Sequence, residues 1–267
     1  MPLAVCATPI GNLEDVTLRV LRELAEADVV LAEDTRHTRG LLERHGIRAR
    51  LLSYHEHNEA KRTAELLPRL QAGERLALVS DAGLPGISDP GARLVAAAIE
   101  AGVPVTVLPG ASAVETALVA SGLVDERYQF VGYLPRGERA LTELGEELAR
   151  WPWPVVAFES PQRLPRSLAV FARMVPDRPC AVCRELTKRH EEVALGTVSE
   201  LAERFDEPVR GEVTLVLGAA PPVEASGDEA AAAVTELVEA GVPRRQAAEL
   251  VSRLTGTSRN ALYRRSL

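Results

Sequence analysis

The sequence predicts an α/β protein built as two successive α/β units, followed by a small helical subdomain. Three observations predict it. Short apolar runs alternate with helix-period segments through the first 120 residues, the texture changes after Val124-Asp125-Glu126-Arg127, and the last forty residues carry helix signals alone.

In the first unit, Leu3 to Thr8, Val29 to Ala32, Leu51 to Ser53, Leu76 to Ser80 and Val103 to Leu108 read as strands. Their alternation with helical segments is the pattern of a parallel sheet. Thr17 to Ala27 repeats Leu18, Leu21 and Leu24 at helical spacing, and Gly91 to Ala101 does so with Leu94, Val95 and Ala98. In the second unit, strands are expected at Tyr128 to Tyr133, Pro154 to Phe158, Cys180 to Arg184, Val193 to Thr197 and Val213 to Gly218. Helices are expected at Arg139 to Arg150 and Gln162 to Met174. Residues 219–227 are turn-rich and apolar-poor, a linker. Beyond it come a helix before Gly241, one opened by Pro243 and closed near Gly256, and one that Ser258 caps. The expected organisation is 1–124, 125–218, a linker over 219–227, and a tail over 228–267.

Composition narrows the function classes. For 267 residues, scaling gives about 11,000 Å² of folded surface against about 42,000 Å² unfolded, enough burial for a sizeable core. With 46% apolar and 26% charged residues and no apolar run near the ~20 that cross a bilayer, a membrane span, collagen and wholesale disorder are excluded. The N-terminal MPLAVCATPIG has no basic region before its short apolar stretch, so a cytoplasmic protein is expected. Three cysteines cannot form a disulfide framework. The net charge of −7 argues against indiscriminate nucleic-acid binding, so any such contact is local. Lys61 and Lys188 are the only lysines.

Among motifs, no G-x-G and no phosphate-loop lysine is present, which argues against dinucleotide and P-loop chemistry. His55-Glu56-His57 lacks a third ligand at diagnostic spacing, so no metal is expected. Cys180 and Cys183 have redox spacing but lie on a strand, where i and i+3 face opposite ways; they read as buried structural cysteines. The sharp signal is Val79-Ser80-Asp81-Ala82-Gly83-Leu84-Pro85-Gly86-Ile87-Ser88-Asp89-Pro90-Gly91, a glycine- and proline-rich turn between strand and helix. The same kind of loop follows the first strand (Ala7 to Asn12) and the fifth (Leu108 to Ala113). Three stiffened loops at one sheet edge favour a ligand cleft, as open α/β sheets bind ligands at strand carboxyl ends. The plain alternative is βα loops whose Ser88 or Asp89 caps the next helix.

These residues carry a resemblance. ATPIGNLEDVTLRVL, LAEDTRHTRGLL, SYHEHNE, LVSDAGLPGISDPGARLV, VPVTVLPGASAVETALVASGL, FESPQRL and CRELTKRHEEVALGT resemble, in order, the rRNA cytidine-2′-O-methyltransferases of the tetrapyrrole methylase superfamily. The resemblance runs from residue 1 to about 218 and extends to the tail. It implies two α/β domains of the tetrapyrrole methylase type with S-adenosylmethionine in the cleft between them. It also implies a homodimer and methylation of a decoding-region cytidine of 16S rRNA, within the small ribosomal subunit. Carried over, the cofactor residues are Pro9, Asp81, Ala82, Gly83, Leu84, Ile87, Ser88, Pro109, Ala111, Ser112, Ala113, Phe158, Glu159, Glu185, Val213 and Thr214. Leu84, Gly86, Ala111 and Gln162 depart from the family's common residues.

Glu33-Asp34-Thr35-Arg36 and His55-Glu56 mark the branch, which places substrate handling there. Glu33, Asp34 and His55 are the candidate proton acceptors, and the plain role of the two acids is to cap the next helix and pair with Arg36 or Arg39. The segment 241–267 holds six arginines against Glu249, a local +5 inside an acidic chain. Arg36 and, in this tail, Arg244, Arg245, Arg259 and Arg264 are expected to meet RNA; the plain alternative is a small packed helical bundle with solvated arginines. Two other readings are a tetrapyrrole methyltransferase of the same superfamily and a non-catalytic RNA-binding factor.

Overall fold

The computed structural model describes residues 2–220 and 227–267. The expected linker over 219–227 lies mostly outside the described residues.

The first sheet is formed by β1 (Leu3–Cys6), β2 (Val29–Ala32), β3 (Leu51–Ser53), β4 (Leu76–Val79) and β5 (Val105–Leu108), in the order β3-β2-β4-β1-β5. Every pairing is parallel. Helices cover both faces, so the central strands are apolar at every position rather than alternately. Leu3, Val5, Leu31 and Leu78 pack with Leu66 and Leu70 of α3 (Glu59–Gln71) and Leu94 and Ala98 of α4 (Ala92–Glu100). On the other face, Ala4, Cys6, Val30 and Val79 meet Val20 and Leu24 of α1 (Leu18–Glu26) and Leu42 of α2 (Thr35–Arg44). Thr17 caps α1, its hydroxyl accepting from Val20 N.

The second sheet joins β6 (Gln129–Tyr133), β7 (Val155–Glu159), β8 (Pro179–Arg184), β9 (Glu192–Thr197) and β10 (Val213–Leu217) in the order β6-β7-β10-β8-β9. Only β6 and β7 run parallel; the other neighbours are antiparallel. One face packs on α6 (Glu138–Ala149), α7 (Leu164–Ala172) and α8 (Val198–Arg204) through Leu141, Leu148, Leu168, Phe171 and Leu201. The other face is covered by α5 (Ala113–Ser121), whose Val114, Ala117 and Leu118 meet Val156, Ala181 and Val216. This helix precedes the expected boundary at 124 and follows β5 in sequence, yet it is packed on the second sheet.

Cys180 lies in the α6–α8 face and Cys183 in the α5 face, free and buried, as i and i+3 on a strand require. Burial raises all three thiols, Cys6 and Cys183 to about 12, which makes them poor nucleophiles.

The tail folds as α9 (Gly227–Glu239), α10 (Arg244–Thr255) and α11 (Arg259–Arg265) around its own core of Val234, Ala247, Ala248, Val251 and Leu262. Gly256 ends α10 at φ +70, a left-handed C-cap that glycine adopts without strain. Ser258 stands at the N-cap of α11, but its side chain makes no capping bond. No helix among the described residues is long and apolar enough to cross a membrane.

Candidate active site

A cleft of about 720 Å³ opens between the carboxyl ends of the first sheet and the second sheet. The loops after β1, β2, β4 and β5 supply Ile10, Glu33, Asp81 to Leu84, Ile87 to Asp89 and Pro109 to Ala113; α5 adds Val114 and Glu115. Across from them stand Tyr133, Phe158 to Pro161, Cys183, Leu186 and Gly211 to Thr214. Another depression, of about 650 Å³, lies along α6 at Glu143, Glu146 and Arg150 and gathers no strand ends.

Every expected cofactor residue lines the cleft except Pro9 and Glu185. Pro9 immediately precedes Ile10, which does line it. Glu185 is instead held by Lys188 Nζ at 2.9 Å and accepts from Glu212 N at 2.9 Å, beneath the segment that carries Glu212 to Thr214.

The loops are shaped by backbone needs that the sequence meets locally. Thr8 N donates to Gly83 O at 2.8 Å and Gly83 N to Thr8 O at 3.1 Å, which ties the β1 and β4 loops together. Gly83 sits at φ +78, where any side chain is strained. A Cβ there would meet its nearest neighbours at an ordinary 3.7 Å, so conformation rather than space selects glycine. At Gly11 the reverse holds: a Cβ would lie 2.7 Å from Leu186 O, because the loop after β8 presses directly on the loop after β1. Asn12 N also donates to Thr187 Oγ1 at 2.9 Å, so the two units are joined at this end of the cleft.

The polar end is acidic. Glu33 accepts from Asp81 N, and Asp81 Oδ1 accepts from Asp34 N at 3.0 Å, a reciprocal clamp between the β2 and β4 loops. Burial, together with the negative charges of Asp81 and Glu56, raises the Glu33 carboxyl against the opposing pull of that N–H and of His55. Asp89 is pushed up to about 6 by burial and by Glu33 and Asp81, opposed by a hydrogen bond from Ser80. Asp89 does not cap α4, whose N-cap is Gly91 with no side-chain cap bond. Clustered carboxylates that repel one another favour a cationic ligand, which relieves the repulsion.

The other candidate acceptors stand differently. Asp34 caps α2 by accepting from Arg36 N at 2.8 Å and pairs with the Arg36 guanidinium at 2.7 Å. That hydrogen-bonding holds its carboxyl far below the usual range. It does not line the cleft. His55 has Nε2 3.0 Å from Asn58 Nδ2; its Nδ1 is buried without a hydrogen-bond partner among the described residues. Arg36 is largely exposed on the helix that starts beside the cleft. In the tail, Arg245, Arg259 and Arg264 are exposed, whereas Arg244 is half-buried.

Sequence reasoning missed Tyr133, Glu115 and Glu212 as lining residues. Strand parity gave no sign that Tyr133 turns inward, because a bulge in β6 sets its direction. It also missed the support under Glu159, a buried carboxylate that accepts from Ser160 N at 2.6 Å and from Ser167 Oγ at 2.5 Å and pairs with Arg163 at 2.5 Å. Among the described residues no cluster of His, Cys, Asp and Glu is arranged to hold a metal ion.

Residues 2–202 match the family described as Tetrapyrrole (Corrin/Porphyrin) Methylases, and residues 224–267 match the RsmI C-terminal HTH domain. A protein of Micromonospora olivasterospora named ribosomal RNA small subunit methyltransferase I is 46% identical, over 98% of this chain and 85% of that one. Relatives with the same name are 46% identical in Mesorhizobium japonicum (99% and 91%) and 41% identical in Synechocystis sp. (99% and 97%). Among solved structures, the methyltransferase CobJ superposes with a TM-score of 0.62 at 20% identity, over 82% of this chain and 94% of that one. Uroporphyrin-III C-methyl transferase from Thermus thermophilus, complexed with S-adenyl homocysteine, gives 0.58 at 21%, over 81% and 96%. At these identities the superpositions speak to the fold.

Proposed function

This chain belongs to the tetrapyrrole methylases, in the ribosomal RNA small subunit methyltransferase I family, and from that premise we propose that it methylates the ribose 2′-hydroxyl of a decoding-region cytidine in 16S rRNA. It is a methyltransferase that uses S-adenosylmethionine. The observation that carries the finer reading is the cleft in which the three stiff loops of the parallel sheet face the second unit across a cluster of carboxylates.

The residues present fit the cofactor. Asp81 and Asp89 offer negative charge to a cation, Leu84, Ile87, Pro109 and Phe158 offer apolar walls, and the Gly83 turn brings backbone close to the ligand. When bound, S-adenosylmethionine supplies a methyl group already activated by its sulfonium. The protein's part is then to orient the nucleophile, an effect worth on the order of 7 kcal/mol in good cases, and to take its proton. Glu33 takes that proton: it lines the cleft, and its raised carboxyl is more basic than an ordinary glutamate. Asp34 positions the β2 loop through its cap, and His55 favours the ionised form of Glu33 electrostatically.

RNA is held by Arg36 and by the exposed arginines of the tail, within the small ribosomal subunit and in the cytoplasm. A second copy of the chain docks on the open edge strand β5, where Val107 is exposed, and sedimentation is expected to give a dimer mass.

Single-turnover methylation of small ribosomal subunits tests the assignment. Glu33→Gln lowers the rate by about 10²-fold or more while S-adenosylmethionine affinity and melting temperature barely move, and Asp34→Asn has a far smaller effect. A near-normal rate in Glu33→Gln removes this carboxylate from the chemistry.

A further inference from the structure

Tyr133 is an unusual residue for its position. It stands at the mouth of the cleft with 62% of its surface exposed, yet its ring is fixed rather than loose. Its centroid lies 5.5 Å from that of Phe158 at 62°, and Phe158 in turn lies 4.9 Å from Phe130 at 66°, an edge-to-face ladder that ends in Tyr133.

The backbone makes this arrangement possible. Phe130 and Tyr133 are three apart, and on a regular strand they would face opposite ways. Here Phe130 is opposite Val156 and Tyr133 opposite Phe158, so β6 advances three residues while β7 advances two. The extra residue is a bulge, with Gly132 at φ +69, and it re-aims Tyr133 so that both rings meet Phe158. Such a bulge beside a cleft serves to place one side chain.

The charges around the ring restrict what it receives. Asp89, Glu212 and Glu33 line the same cleft as Tyr133, and with partial burial of the hydroxyl their charges raise the phenol, Arg163 opposing. A phosphate group is repelled from a face bearing three carboxylates, whereas an uncharged nucleobase is not. Carboxylates are also natural acceptors for the exocyclic amine of cytosine.

We propose that Tyr133 is the stacking platform on which the target base, turned out of the RNA, rests while its ribose faces the methyl donor. The inference depends on the RNA reading above and adds to it the residue that positions the nucleoside. Tyr133 acts by its ring face, and its hydroxyl is dispensable.

The test compares the wild-type enzyme with Tyr133→Ala, Tyr133→Phe and Tyr133→Trp. The substrate is small ribosomal subunits with unmodified 16S rRNA and labelled S-adenosylmethionine, and cofactor affinity and melting temperature are measured alongside. Loss of one base–aromatic stack corresponds to roughly a 5- to 150-fold change. Tyr133→Ala is expected to lower kcat/KM for the subunit within that range with cofactor affinity unchanged, and Tyr133→Phe and Tyr133→Trp to restore most of it. Wild-type kcat/KM in Tyr133→Ala overturns the proposal. So does a loss in Tyr133→Phe as large as in Tyr133→Ala, since that assigns the effect to the hydroxyl, and so does a matching loss of cofactor affinity. Failure of the wild-type enzyme to methylate the subunits defeats the RNA reading itself, which is a separate result from any difference among the variants.

Discussion

Asp89 is the residue whose environment makes the sharpest claim about the ligand. In the folded protein its carboxyl is pushed up to about 6 from the ordinary 3.8, because burial and the neighbouring Glu33 and Asp81 disfavour its charge. The folded protein therefore holds this proton more tightly than the unfolded chain. The stability this contributes is fully present below pH 3.8 and is lost as pH rises through about 6. A cationic cofactor has the opposite preference, binding best when Asp89 is ionised. Titration calorimetry is expected to show S-adenosylmethionine affinity rising between pH 5 and pH 7, and Asp89→Asn to flatten that rise; an unchanged slope in the variant would take Asp89 out of the site. The loop that carries this residue was legible in the sequence, since glycines and prolines between an apolar strand and a helix have few other uses. The division of labour within the acidic set was not. Glu33 and Asp34 are adjacent and chemically alike, and only the turn into α2 decides that one faces the cleft while the other caps a helix.

At the scale of elements, the first sheet was readable because parallel strands buried on both faces are apolar at every position, as in Val29 to Ala32 and Leu76 to Val79. Strand order in the second sheet was not, since β10 inserts between β7 and β8 through contacts remote in sequence. Nor was the placement of α5, whose apolar residues would suit either sheet. Arg178 shows how such remote parts are locked. It is 3% exposed and has no carboxylate partner among the described residues; Nε donates to Gly218 O at 2.7 Å, Nη1 to Leu148 O, and Nη2 to Trp151 O and Trp153 O at 3.3 and 3.4 Å. It thus joins the end of β10 to the end of α6 and the turn before β7. Arg178→Ala is expected to cost about 3 kcal/mol in urea unfolding, with Arg178→Lys recovering only part, because an ammonium cannot span those carbonyls. A loss under about 0.5 kcal/mol would show that solvent replaces the guanidinium freely.

At the scale of the whole molecule, the cleft and the cationic tail are separate structures. The cleft is built entirely from residues before 215, while α9 to α11 close around their own core and expose most of the arginines of the tail. The ion pair between Arg265 and Asp228, at 3.6 Å between exposed groups, contributes little and leaves the cationic surface available. Truncation after Pro222 is accordingly expected to leave S-adenosylmethionine affinity intact, to weaken binding to the small subunit, and to flatten its salt dependence; full-rate methylation by the truncated protein would make the tail dispensable. The central claim, that the cleft transfers a methyl group to a cytidine 2′-oxygen, is tested most directly by nucleoside mass spectrometry of 16S rRNA after incubation of unmodified small subunits with the protein and labelled S-adenosylmethionine. The label is expected in 2′-O-methylcytidine, and label on a base, on another nucleoside or nowhere in the RNA would contradict it.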